Sequence, residues 1–198
     1  MMRNDRILRI YTDGGCAGNQ NEENLGGWGA VLEYGSASKE LFGAEANTTN
    51  NRMEMRALLE AFRAIRKDGQ TIQVFSDSSY LMDCFRKGWY RGWLTNGWKT
   101  AKKTPVENRD LWQELLPYLN RHDIQFYRVK GHVNLDHPSA DAEKLFAKFR
   151  SWNGEQFTME DFRYVTEKNN QADALANRGI DSLRGTEPEE PGEADDAE

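Results

Sequence analysis

Hydrophobic and polar positions follow a two-residue step along three segments near the start of the chain. Residues 6–12 alternate between two faces, which predicts a strand. Residues 27–34 and 38–46 show the same step on either side of a tight turn near Gly35. A loop rich in Gly, Asn and Glu is expected over 14–26. Together these segments predict an antiparallel meander.

The apolar step lengthens to three and four residues over 50–67, which predicts a helix that ends at Asp68-Gly69. Pro117 is expected to bend or end a later helix early. The other predicted elements are strands at 71–76 and 123–131 and helices at 78–88, 106–121, 139–154 and 169–183. This order predicts an α/β protein with a five-stranded mixed sheet, three antiparallel strands followed by two parallel ones, flanked by helices.

Length and composition limit the number of domains and the expected location of the protein. A chain of 198 residues is large enough for one domain with its own core. No run approaches the roughly 20 apolar residues that a membrane span requires, and the first residues lack the pattern of a signal peptide. We therefore expect a cytoplasmic protein. Cys16 and Cys84 stand outside any CxxC pair, which favours two reduced thiols over a zinc or redox site.

Charge is distributed unevenly along the chain. The net charge is −6, but residues 186–198 contain seven acids and no base, so the rest of the chain is nearly neutral. Residues 84–106 contain six bases and no acid. The overall acidity therefore does not exclude a nucleic-acid partner.

Four acidic residues lie at positions from which side chains could converge. Asp13 follows the first strand, and Glu54, Asp77 and Asp173 lie near junctions that lead into helices. Such junctions meet at one edge of an α/β sheet. Closely placed carboxylates can hold divalent ions that activate water for phosphodiester cleavage.

Each of these acids also has a purely structural interpretation. Asp13 could form an Asp-Gly turn. Glu54 could complete a capping box in which Asn51 is the N-cap. Asp77 could be the N-cap of the next helix, and Asp173 could be a first-turn acid that interacts with the helix dipole.

Six sequence motifs, taken in order, decide between these interpretations. YTDGGCAGN, NTTNNRMEMRAL, FSDSSYL, NGWKTAKKTPVENRDLW, VKGH and NNQADALANRG together closely resemble the bacterial type I ribonuclease H family over roughly residues 6–183. The resemblance implies a ribonuclease H-like fold. It also implies an endonuclease that cuts the RNA strand of RNA–DNA hybrids and leaves 3′-hydroxyl and 5′-phosphate ends.

The resemblance also implies particular site residues. Asp13, Glu54, Asp77 and Asp173 would hold two Mg²⁺ ions, with Mn²⁺ as a possible substitute. His132 in VKGH matches a catalytic histidine that assists proton transfer or product release. His132 could otherwise be an ordinary surface residue.

Ten further residues match or resemble nucleic-acid contacts of this family. Asn50 and Asn51 could instead cap a helix, and most of the tryptophans could be core residues. Ser79 replaces a Gln that is common in the best-known relatives. The expected contacts to the groove and phosphates are Asn19, Thr49, Asn50, Asn51 and Ser79, and those of a basic protrusion are Trp89, Trp93, Lys99, Lys102 and Lys103.

The chain departs from the family pattern after VKGH. An insertion at about 134–167 separates this motif from the last helix and is expected to contain an inserted helix with Ser139 as a plausible N-cap. Its apolar face, Leu145, Phe149 and Trp152, should pack on the domain, whereas Lys144, Lys148 and Arg150 should point outward. Asp136, Asp141 and Asp161 become rival metal ligands, and the insertion could tether the loop of His132.

Domain organisation and partners complete the expectations. Residues 1–183 are expected to form the ribonuclease H domain and 184–198 a disordered acidic tail. We expect a monomer that binds an RNA–DNA hybrid, without a membrane or a protein partner. Two alternatives remain: another nuclease of the same fold, such as a resolvase or integrase, and a hybrid-binding module without catalysis.

Overall fold

The described residues of a computed structural model, 6–17, 24–138 and 140–185, contain one five-stranded mixed sheet. Its order is β3-β2-β1-β4-β5. The three first strands pair antiparallel, and β4 and β5 run parallel to β1, as the sequence predicts. The strands are β1 (Ile7–Ala17), β2 (Leu25–Tyr34), β3 (Ala37–Ala46), β4 (Thr71–Ser76) and β5 (Asp123–Arg128).

Helices cover both faces of this sheet. None of the helices in the described part of the chain combines the length and apolar character that crossing a bilayer demands. The helices are α1 (Asn50–Arg63), α2 (Ser79–Lys87), α3 (Trp89–Asn96), α4 (Arg109–Leu115), α5 (Tyr118–Arg121), α6 (Ala142–Asn153) and α7 (Met159–Arg184).

Several element boundaries differ from the predictions. The predicted loop at 14–26 is too long, because β1 pairs with β2 as far as Ala17 opposite Leu25. Helix α1 ends at Arg63 and β5 ends at Arg128, each a few residues early. Pro117 divides the predicted helix at 106–121 into α4 and α5, as expected for a residue that cannot donate a helical hydrogen bond.

The last helix is longer than the predicted 169–183. It begins at Met159, inside the expected insertion, because Thr158 and Asp161 form a capping box there. The inserted helix predicted at 139–154 is α6, and its N-cap is Asp141, whose side chain accepts from the Lys144 N–H. The expected N-cap, Ser139, lies outside the described residues.

Two hydrophobic clusters lie on opposite faces of the sheet because neighbouring strand residues point in opposite directions. Ile10 and Val74 belong to the cluster beneath α1 and α2. Tyr11 and Phe75, the next residues along, belong to the cluster beneath α6 and α7. The predicted alternation in β1 is thus confirmed.

The insertion builds part of the second cluster. Phe149 of α6 is buried and packs against Phe157 and Phe162, with ring centroids 5.1 and 5.5 Å apart. Leu145 also packs there, as predicted for the apolar face. Arg150 does not point freely outward as predicted, because it is half-buried and forms an ion pair with Glu155.

Asn153 fixes the end of α6 to the outer edge of the sheet. Its Oδ1 accepts from the Arg128 N–H at 2.9 Å, and its Nδ2 donates to the Arg128 carbonyl at 2.7 Å. These bonds satisfy backbone groups of an edge strand that would otherwise be open to another chain.

Replacing Asn153 with Ala is expected to lower the free energy of unfolding by about 2 kcal/mol, because two backbone groups at a half-buried edge lose their partners. Urea unfolding measures the change. Ser151→Ala on the same helix is the control, with an expected change within about 0.5 kcal/mol because its hydroxyl is exposed. Equal stability of the two variants would contradict this role.

Candidate active site

The register of β1 and β4 brings two of the predicted carboxylates together. The parallel pairing ends with Thr12 opposite Ser76, so Asp13 and Asp77 are the residues that directly follow this last pair. Asp13 is buried and its Oδ1 accepts from the Gly14 N–H at 2.7 Å. Asp77 is half-buried between β4 and α2.

Helix α1 carries the third carboxylate to the same place. Glu54 is the fifth residue of this helix, just past its first turn, and is buried against β1. A Cβ atom at Gly14 would overlap the backbone of Met53 and Glu54, so only glycine allows the helix to approach the strand this closely. Gly131 has a matching role, because a Cβ atom there would overlap Oδ2 of Asp77.

Asp13, Glu54 and Asp77 form a compact acidic cluster. One carboxylate oxygen from each lies within 4.8 Å of the others. Asp13 Oδ2, Glu54 Oε2 and Asp77 Oδ1 are buried and accept no hydrogen bond from any described residue. Buried carboxylate oxygens without partners are costly unless a cation compensates them. An all-oxygen donor set of this kind suits a hard divalent cation such as Mg²⁺.

Electrostatics in the cluster favour the same conclusion. Burial and the charges of Asp77 and Asp173 raise the pKa of Asp13 from 3.8 to about 8. Burial also raises the pKa of Glu54 well above its ordinary value, with Asp77 and Asp13 adding to the effect. The pKa of Asp77 is raised by burial, and His132 partly offsets this. The fold therefore holds together acids that repel one another.

Asp173 and His132 complete the rim of the cluster. Both line a cavity of about 390 Å³ together with Asp13, Glu54 and Asp77. His132 is exposed, and its Nδ1 lies 3.7 Å from Asp173 Oδ1. Position 132 adopts a left-handed backbone conformation, with φ of 53°, which is uncommon for a residue other than glycine.

Helix α7 holds the loop of His132. The Asn170 side chain donates from Nδ2 to the Val133 carbonyl at 2.8 Å. The sequence raised the idea of a tethered loop but did not single out Asn170. Its only signal was its position three residues before Asp173 in the NNQAD motif.

The structural interpretations of three acids are wrong. The N-cap of α1 is Thr49, so neither Asn50 nor Asn51 caps that helix and Glu54 completes no capping box. Ser78, not Asp77, is the N-cap of α2. Asp173 lies in the middle of α7 and not in its first turn, so the helix dipole gives it no stabilisation there.

The rival ligands lie outside the acidic cluster. Asp141 caps α6, and Asp161 takes part in the capping box of α7. Neither these two nor Asp136 lines the 390 Å³ cavity. Among the described residues, the acidic cluster is thus built from acids that the motifs indicate.

Of the predicted groove contacts that the structure describes, only Asn50 lines this cavity. Its Oδ1 accepts from the Cys16 N–H at 2.7 Å. Thr49 and Ser79 are exposed, and Asn51 is half-buried in the first turn of α1. Asn19 lies outside the described residues.

The aromatic and basic segment forms a second cavity of about 600 Å³, lined among others by Trp89, Trp93 and Lys99. Trp89 is 43% exposed, whereas Trp93 packs against the buried Trp112 with ring centroids 5.5 Å apart. The expectation that most tryptophans of this segment are core residues is confirmed for Trp98, which is buried. Lys102 and Lys103 are exposed but do not line this cavity.

Comparisons with known proteins agree with the fold and with the motifs. The RNase H family model matches residues 5–148. The ribonuclease H of Syntrophomonas wolfei is 51% identical over 123 residues, which cover 62% of this chain and 82% of that protein. The ribonuclease H of Moorella thermoacetica is 53% identical over 125 residues, which cover 63% of this chain and 80% of that protein.

A solved structure extends the likeness beyond the family match. LC9-RNase H1, described as a type 1 RNase H with the type 2 active-site motif, has a TM-score of 0.64 at 28% identity. The likeness covers 89% of this chain and 73% of that one. The family match itself ends at residue 148, before Asp173, so the placement of Asp173 depends on the geometry of the site.

The sheet order and the acidic cluster at the ends of β1 and β4 define an α/β enzyme with a ribonuclease H-like fold. The family match and the relatives at about 50% identity show which family of enzymes with this fold the chain belongs to. The chain belongs to the RNase H family, and the resemblance read from its motifs is confirmed.

Proposed function

We propose that this enzyme is an endonuclease that hydrolyses the RNA strand of an RNA–DNA hybrid with the help of two divalent cations, Mg²⁺ or its substitute Mn²⁺. The observation that carries the proposal is the cluster of Asp13, Glu54 and Asp77. One oxygen of each carboxylate lies within 4.8 Å of the others, and each carboxylate has a buried oxygen without a hydrogen-bond partner. When bound, the cations would supply an activated water and stabilise the leaving oxygen. Family membership supports the choice of substrate.

In this proposal, Asp13, Glu54, Asp77 and Asp173 hold the cations at the ends of β1 and β4. Asp13 and Glu54 are both buried, and the close approach at Gly14 places the backbone of α1 directly against β1. Asp173 contributes from α7, which packs against β1, β2 and β3. The carboxylates are therefore positioned before substrate binds, which avoids reorganisation during the reaction.

His132 is proposed to move a proton at the edge of the site or to assist product release. Its ring is exposed and reaches Asp173 at 3.7 Å, so it can exchange protons with water and with a bound phosphate. The hydrogen bond from Asn170 to the neighbouring Val133 keeps the loop close to α7.

Recognition of the hybrid is proposed to use the polar side chains beside the carboxylates. The Oδ1 atom of Asn50 is already occupied by the Cys16 N–H, so its amide NH₂ group is the one that can donate to a 2′-hydroxyl. Thr49, Asn51 and Ser79 are placed to contact sugars and phosphates. Trp89, Trp93 and Lys99, with Lys102 and Lys103 nearby, are proposed to contact the DNA strand.

The test is an RNA–DNA hybrid labelled on each strand and incubated with Mg²⁺. We expect cleavage of the RNA strand alone, with 3′-hydroxyl and 5′-phosphate ends. EDTA should abolish it, because the carboxylates cannot activate water without the cations. Double-stranded DNA and double-stranded RNA serve as controls. Persistence of full-length RNA, or equal cutting of a pure duplex, would contradict the proposal.

A further inference from the structure

Three basic side chains gather around one tryptophan where α6 crosses the outer edge of β5. The guanidinium carbon of Arg128 lies 4.5 Å from the Trp152 ring centroid, and Lys148 Nζ lies 5.1 Å from it. Arg86 of α2 donates a hydrogen bond to the Trp152 carbonyl. We refer to Arg86, Arg128, Lys148 and Trp152 as the Trp152 cluster.

The cations of this cluster lack acidic partners within the described ranges. None of the three forms an ion pair there, whereas the neighbouring bases Lys87 and Arg150 pair with Asp83 and Glu155. The Nε atom of Arg128 is also buried without a hydrogen-bond partner. The face of one indole ring offsets only part of the repulsion among three positive charges. The cluster is therefore complementary to a polyanion.

The Trp152 cluster lies at the same end of the parallel strands as the acidic site. Arg128 pairs with Ser76 in the parallel register, and Ser76 immediately precedes Asp77. One strand spacing and one residue step place the Cα atoms of Arg128 and Asp77 within about 9 Å of each other. A duplex carries about one phosphate charge per 1.7 Å of axis, so a strand cut at the carboxylates has further phosphates within reach of the cluster.

The insertion makes this surface rigid. Trp152 and Lys148 both belong to α6, and the paired hydrogen bonds of Asn153 with Arg128 hold that helix against β5. Phe149, one residue after Lys148, is buried in the second hydrophobic cluster. Arg86 contacts α6 and does not line the cavity formed by Trp89 and Trp93, so this surface is separate from that cavity.

We propose that the Trp152 cluster binds backbone phosphates of the hybrid outside the catalytic cleft and lengthens the bound stretch of duplex. The choice of ligand rests on the proposed function. The inserted helix thus supplies a second phosphate-binding surface, while the carboxylates supply the chemistry. Binding is independent of base sequence, because phosphates carry no sequence information.

The test compares Lys148→Glu with Lys67→Glu, the same charge change at an exposed lysine beyond the end of α1. Hybrids of about two helical turns (~20 base pairs) and of about half that length are bound in EDTA and followed by fluorescence anisotropy. Lys148→Glu should weaken binding of the long hybrid roughly 5- to 10-fold and reduce the slope of log affinity against log salt by about one. The preference of the wild type for the long hybrid should shrink accordingly.

Two further measurements keep the outcome interpretable. Lys148→Gln should act in the same direction with a smaller loss, and thermal unfolding should show that both variants at this exposed position fold like the wild type. Cleavage of the same hybrids in Mg²⁺ is measured in parallel. Absence of cleavage would overturn the proposed function, whereas equal binding losses in Lys148→Glu and Lys67→Glu, or an unchanged salt slope, would overturn the role of the cluster.

Discussion

The Asp13→Asn variant is expected to cut the RNA strand of a hybrid roughly a thousandfold more slowly than the wild type, a loss of about 4 kcal/mol in transition-state stabilisation. Asparagine keeps the shape of the side chain and an oxygen that can accept from the Gly14 N–H. It removes the negative charge that the proposed cations require. Single-turnover cleavage in saturating Mg²⁺ measures the rate of the chemical step.

The matched control is Asp123→Asn, the same substitution at the exposed start of β5. Asp123 pairs with Thr71 at the opposite end of the parallel strands, so it cannot reach the acidic cluster. Its cleavage rate should equal that of the wild type. A rate for Asp13→Asn within roughly tenfold of the wild type would show that Asp13 does not hold a catalytic cation.

The core of the site could be predicted because it depends on strand register. Once two parallel strands are recognised, the residues that follow them meet at one edge, and this brings Asp13 next to Asp77. Glu54 could be placed because a helical pattern follows β3 and returns the chain to β4. The motifs then identified which acids near this edge to consider.

Other features depend on contacts between distant parts of the chain. Thr49 and Asn51 are both acceptable N-cap residues, and only the backbone conformation selects Thr49. The start of α7 differs from the prediction because the helix begins at the capping box of Thr158 and Asp161, and its first turns pack against α6, with the Phe146 and Phe162 ring centroids 5.8 Å apart. The single helix that results moves Asp173 from a helix start to a helix middle.

The cluster of basic residues around Trp152 also could not be predicted from sequence patterns. Arg86, Arg128 and Lys148 come from three different elements, and their spacing along the chain shows no regularity. The sequence predicted that Lys148 is exposed, which the structure confirms, but it placed Trp152 with the core residues of α6. The ring instead contacts two cations, with Arg128 Cζ 4.5 Å and Lys148 Nζ 5.1 Å from its centroid.

A rise in pH is expected to destabilise the metal-free enzyme through Asp13. The folded-state pKa of Asp13 is raised from 3.8 to about 8, so the folded protein binds this proton more tightly than the unfolded chain does. The stability it contributes is fully present below about pH 4 and is lost as the pH rises through about 8. At pH 8 without metal, Asp13→Asn should therefore melt at a higher temperature than the wild type, by roughly 2–4 °C for each kcal/mol of repulsion relieved.

Mg²⁺ should reverse this difference, because a bound cation offsets the repulsion among the carboxylates. At about 100 times its dissociation constant, a ligand that binds only the folded state adds about 2.7 kcal/mol, or roughly 5–10 °C in a chain of this size. Thermal unfolding between about pH 5 and 8.5, with EDTA or with Mg²⁺, measures both effects. Asp123→Asn should follow the wild type throughout. Two results would contradict this prediction. One is a Mg²⁺-induced shift in melting temperature of equal size in Asp13→Asn and the wild type. The other is a wild type that is more stable than Asp13→Asn in EDTA at pH 8.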